Sequence, residues 1–180
     1  MKEGLVKLTW LPFELHPETP IEGMTREAYF GRARSLSMRS RLDEVADEVG
    51  LVMKQRDVLI NSRKALGAAE FAREHGKYDE MHQALFKAHW ELTGKLEDVD
   101  DLVRIGTEVA LDPVELRKAI EEGRHEQVLD ENRQLAESVG INAIPAHIFG
   151  RRYLVMGAQP YEAFTQVLDK LREEFGATES

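Results

Sequence analysis

The stretch "GINAIPAHIFGRRYLVMGAQP", residues 140–160, decides how the fold is read. It sets Pro145 between two apolar runs, places the four-residue segments "AHIF" and "YLVM" on either side of a tight basic "GRR", and ends on Gly157 to Pro160. Short β-prone segments separated by a Gly-containing connection of this length predict a β-hairpin. Pro160 suits the first turn of a helix, and Phe164, Val167, Leu168 and Leu171 recur beyond it at helical spacing, so this helix packs that face inward.

Working back toward the N-terminus, the period changes. "LVKLTWLPF", residues 5–13, alternates apolar and polar residues and predicts a strand that stops near Pro12. "ELHPETPIEG" breaks it into a loop, and from Thr25 to about Glu122 the pattern is helical almost throughout. Thr25 can cap a first helix, and Leu42, Val45, Ala46 and Val49 form an apolar stripe running up to Gly50. Asn61 is the expected cap of a helix over 62–74 that Gly76 ends. The next helix carries Tyr78, Met81, His82, Leu85, Phe86 and His89 on one face, and the one after it Val99, Leu102, Val103, Gly106, Val109 and Ala110. "DPVE", residues 112–115, starts a helix with Asp112 as cap and Pro113 in the first turn. A further helix covers about His125 to Val139. The short tail 176–180 reads as disordered.

The net charge of −9 and pI of about 5.2 argue against a nucleic-acid or anionic-membrane surface, which needs clustered Lys and Arg. No run approaches the roughly eighteen apolar residues of a membrane span. Residues 1–10 lack the continuous apolar core of a signal peptide, and the chain contains no cysteine, so a soluble cytoplasmic protein is expected. At 180 residues with 42% apolar content the chain can bury a core of ordinary size.

The order strand, helical block, helix, strand, strand, helix, together with "PFELHPETPIEGM" and "GINAIPAHIFGRRYLVMGAQPYEAF", resembles the DsbA-like family, in particular its FrnE-type cytoplasmic branch. That branch is related to hydroxychromene-carboxylate isomerases and kappa-class glutathione transferases. The resemblance implies an α/β thioredoxin-like fold formed by residues 1–24 and 123–175, with a large all-helical insertion over 25–122. It implies a cis Ile144–Pro145 peptide, which proline alone makes cheap. Ile144 and Pro145 would then bind substrate, a thiol-containing protein or a small thiol, with glutathione as a candidate ligand. The family's activity is dithiol-disulfide exchange. Its first strand and Cys-x-x-Cys helix have no counterpart in these residues, and a unit of that kind takes about 30 residues. The chain is therefore expected to be truncated relative to the family and redox-inactive by itself. The sheet edges so exposed open a route to homo-oligomers.

The remaining residue types point less sharply. A thiolate and a resolving thiol are both lacking, so no catalytic residue is assigned. Ser37 and Ser40 invite the serine chemistry of the isomerase and transferase relatives, but they follow the first predicted strand and lie among arginines. His75, His82 and His89 recur every seven residues; that spacing leaves neighbours about 10 Å apart along a helix, too far for one metal ion. His16 and His147 are candidates to line a cleft. Asp98, Asp100 and Asp101 lack the Gly and closing Glu of a calcium loop and read as a helix start. Arg151 and Arg152 form a basic turn able to attract a carboxylate. Three readings follow: a redox-inactive oxidoreductase relative, a non-catalytic thiol-, peptide- or protein-binding module, or a serine-type isomerase or transferase relative.

Overall fold

The computed structural model describes residues 6–54 and 56–176. The chain forms two compact units, Met1–Asn132 and Arg133–Ser180.

The first unit contains a two-residue antiparallel ribbon, β1 (Met24–Thr25) with β2 (Val58–Leu59), and the helices α1 (Arg26–Phe30), α2 (Arg32–Glu48), α3 (Arg63–Glu74), α4 (Tyr78–Glu91), α5 (Val99–Glu108) and α6 (Pro113–Glu121). Helix α7 (Glu126–Ser138) begins in this unit and ends in the next. Local chemistry accounts for three of the helix starts. Thr25 accepts from the Ala28 amide, Asp98 from those of Asp100 and Asp101, and Asp112 from those of Val114 and Glu115. At α3 the cap is displaced. Ser62 occupies the capping position without a side-chain bond, while Asn61, one residue earlier, accepts from the Arg63 amide at 3.0 Å and donates to the Thr19 carbonyl at 2.7 Å. Asn61 thus ties the start of α3 to the loop before β1.

The core lies among α3, α4, α5 and α6. Its members include Ala68, Phe71, Ala72, Met81, Leu85, Leu102, Ile105 and Leu116. Helix α3 buries four alanines, which lets its neighbours approach closely, and Phe71 fills the space they leave. Gly106 serves the same end on α5. A Cβ there would lie 2.2 Å from Leu116 Cδ2, so the α5–α6 contact requires its absence.

Three expectations need correction. Residues 6–13 are not a strand: they join no ladder among the described residues, and Leu5 lies outside those residues. Alternation makes a strand only where a neighbour supplies donors and acceptors. Here the Trp10 carbonyl accepts instead from Arg73 Nη2 at 2.7 Å, the Trp10 ring stacks on His82, and Val6, Leu8, Trp10 and Leu11 remain between 45% and 62% exposed. The α2 stripe is the second. Only Ala46 is buried on that helix, while Val45 and Val49 are exposed. On α4, Phe86 is likewise exposed, although its ring leans on His82.

In the second unit β3 (Ala146–Phe149) and β4 (Tyr153–Met156) pair antiparallel, with His147 opposite Val155 and Phe149 opposite Tyr153, followed by α8 (Tyr161–Gly176). Gly150 and Arg151 both take positive φ, and the Arg152 amide bonds to the Phe149 carbonyl at 2.9 Å. This is the mirror-image turn that matches strand twist. Buried Leu171 anchors α8. The expected disordered tail falls chiefly on residues 177–180, which lie outside the described residues. Among the described residues no helix is long and apolar enough to cross a membrane.

Candidate functional site

The hairpin's two faces differ because side chains alternate along a strand. His147 and Phe149 share one face with Tyr153 and Val155. Both His147 and Phe149 meet Phe164 of α8, with ring centroids 4.9 and 5.9 Å away. Tyr153 on the same face hydrogen-bonds Glu174 and lies under the Lys170 ammonium. The opposite face carries Ala146, Ile148, Leu154 and Met156; Ile148 and Met156 are 43% and 38% exposed.

This apolar face leads into the Ile144–Pro145 peptide, which is cis. The Pro145 carbonyl is taken by the Gly157 amide at 2.7 Å, which fixes the loop to the end of β4. Ile144 is 53% exposed, and among the described residues no hydrogen bond engages its backbone N–H or carbonyl. The unit therefore offers one free donor and one free acceptor on the main chain beside an uncovered apolar strip. An extended backbone can use both.

His147 turns its ring into the α8 face, and its buried Nδ1 has no hydrogen-bond partner among the described residues. Arg152 pairs with Glu174 at 3.0 Å, so its charge is already engaged; the Glu174 carboxyl is held below the usual range chiefly by the Tyr153 hydroxyl and then by Arg152. Arg151 stands at the exposed turn.

The other candidates lie in the first unit. Ser37 and Ser40 are exposed on α2, and Ser40 Oγ donates to Glu44 at 3.3 Å. Neither has a histidine against it among the described residues, so no activated hydroxyl is formed. His16 sits against Tyr29 and Phe30, with Nδ1 3.0 Å from the Tyr29 hydroxyl, and Tyr29 also donates to Glu18. That bond to Glu18 raises the Tyr29 pKa and lowers that of Glu18, which keeps the phenol protonated and unsuited to act as a base. Among the described residues no group of three or more His, Asp or Glu side chains converges as a metal site would.

His82 and His89 have structural surroundings instead. His82 is stacked with Trp10 and Tyr78 and leans on Phe86; burial lowers its pKa, with Asp79 opposing. For His89 burial lowers the pKa most, then the fields of Arg56 and Arg26, against Glu97. Both rings bind a proton more readily in the unfolded chain. The stability they contribute is therefore complete above about pH 6.5 and is lost as pH falls through their folded values. Urea midpoints should drop between pH 7 and pH 5, and His89→Gln should flatten that slope; an equal slope in the variant would exclude His89 as a source.

A family profile described as the DSBA-like thioredoxin domain matches residues 2–169. A Bacillus subtilis protein named YwbO, itself uncharacterized, is 23% identical over 166 residues, which are 91% of this chain and 81% of that one. The crystal structure of a probable DsbA oxidoreductase from Streptomyces coelicolor superposes with a TM-score of 0.78 at 22% identity, covering 91% of this chain and 73% of that one. At such identity the structural likeness speaks for the fold, a helix-rich α/β thioredoxin-like fold.

Proposed function

The chain belongs to the DSBA-like thioredoxin domain family, and from that premise we propose that it is a redox-inactive, FrnE-type member that holds an extended thiol-bearing peptide, or a small thiol such as glutathione, at Ile144 and Pro145. The observation that carries this reading is the unpaired Ile144 backbone beside the exposed Ile148 and Met156. Main-chain pairing gives such a site its affinity, and the apolar strip takes alternate side chains of the ligand. Residues 1–24 and 123–175 form the thioredoxin-like part in this reading, and 25–122 the insertion.

Dithiol exchange is a different matter. Attack on a disulfide needs a thiolate, and the 180 residues contain no cysteine. The purified chain should reduce insulin no faster than the reductant alone. A labelled extended peptide should bind saturably, and N-methylation of its pairing amides should weaken binding about tenfold, since each main-chain bond is worth roughly 0.5–1.5 kcal/mol. Equal affinity for the N-methylated peptide would refute backbone recognition, and thiol-dependent turnover would refute redox inactivity. A second copy of the chain can occupy the same open hairpin edge, so the assay is run alongside sedimentation.

A further inference from the structure

We propose that the first unit carries a binding site for a small zwitterion of the α-amino acid class, in a cavity where Lys64 of α3 and Glu97 of the loop before α5 stand as opposite charges with no ion pair among the described residues, over an apolar wall from α6 and α7. No residue of the Ile144–Pro145 loop lines this cavity, and the proposal does not depend on the reading given for that loop.

The cavity has a volume of about 140 Å³. An apolar cavity of about 150 Å³ admits benzene, so the space suits a ligand of about six or seven heavy atoms. Ala119, Ile120 and Leu129 supply the apolar wall. Arg63 and Glu126, which also line the cavity, are engaged, 4.0 Å from each other. Arg63 binds Glu14 and Asp130 at 2.7 and 3.0 Å, whereas the buried His125 Nε2, 3.2 Å from Glu74, makes no hydrogen bond among the described residues.

Lys64 and Glu97 are not so engaged. Among the described residues the Lys64 ammonium reaches only the Glu97 backbone carbonyl, at 3.4 Å. The Glu97 Oε2 atom is buried and has no hydrogen-bond partner among the described residues, although the field of the carboxylate reaches His89. The two side chains are not within 4.0 Å of each other as an ion pair, although both line one cavity. Holding two half-buried charges apart is costly unless something answers each. An anion answers Lys64 and is repelled by Glu97; a cation does the reverse. A molecule with a carboxylate and an ammonium on one carbon satisfies both, and its short side chain falls against the apolar wall. A cavity of this volume suits a short side chain, as in alanine and serine.

Calorimetry on the full chain tests this with L-alanine, propionate and ethylamine as probes. L-Alanine should bind saturably, and each single-charge analogue at least about tenfold more weakly, because each lacks one charge-assisted hydrogen bond. Lys64→Met and Glu97→Gln, shown to be folded by circular dichroism, should each lose about tenfold or more in affinity for L-alanine. No saturable heat with millimolar L-alanine or L-serine overturns the proposal, as does equal binding of either analogue. Unchanged affinity in the folded variants also overturns it, and the analogue series on the unaltered protein decides the matter if a variant does not fold.

Discussion

Replacing Phe71 by Ala is expected to cost about 3–5 kcal/mol, among the largest losses any single substitution in this chain can produce. Phe71 is 1% exposed and is the one large apolar side chain among the buried residues of α3; the others are Ala65, Ala68, Ala69, Ala72 and the carboxylate Glu70. Alanines cannot swell to fill the space a missing ring leaves, and Met81 and Leu102 are held in place by α4 and α5. The ring also lies against the imidazole of His75, with centroids 4.3 Å apart, and meets His125 edge-on at 6.3 Å. Its removal therefore opens a void beside the start of α7 as well as within the core. Urea unfolding followed by circular dichroism gives the measurement. Phe71→Leu, which keeps most of the volume, should lose far less than the Ala variant. Equal losses in the two would mean that ring geometry, not volume, governs the site.

How much of this could be read from sequence depended on how locally each feature is specified. The hairpin 146–149 and 153–156, the helix after Pro160 and the Asp112 cap announce themselves within a few residues, and the structure has them. The caps differ only where a tertiary contact intervenes, as at Asn61, which gives its amide to Thr19 42 residues away. Residues 6–13 carry a strand's alternation but not its partner, and no local pattern can state whether a partner exists. The α2 stripe has the right period, yet only Ala46 meets anything able to bury it. Ile105, 1% exposed, falls outside the stripe drawn for α5 because the helix turns a wider face to the core than the spacing of its other apolar residues suggested. At the candidate site, Ile144 and Pro145 were legible through family motifs, whereas the exposure of Ile148 and Met156 needed the hairpin register. Lys64 and Glu97 are 33 residues apart and neither sits in a motif, so their shared cavity was invisible.

Arg63→Met should be comparably severe for an electrostatic reason. Among the described residues Glu14 is the most deeply buried carboxylate in an ion pair, its side chain 6% exposed, and Arg63 Nη1 lies 2.7 Å from it. The same guanidinium donates to Asp130 at 3.0 Å and lies 4.0 Å from Glu126. Burial pulls the Arg63 pKa down, but the bonds and fields of Asp130 and Glu14 more than offset it, so the net shift is upward. One cation thus joins the loop at Glu14, the start of α3 and the first turns of α7. Removing it leaves the Glu14 charge buried and unanswered, which costs about 3–5 kcal/mol, whereas the intact pair is worth much less against an apolar replacement. The melting temperature should fall by about 10 °C, taking roughly 2–4 °C per kcal/mol for a chain of this length. Adding Glu14→Gln to Arg63→Met separates the two contributions, since it removes the stranded charge while keeping its shape. The double variant should recover more than half of the loss, and a double variant no more stable than Arg63→Met alone would show that the guanidinium acts through Asp130 and the packing of its stem.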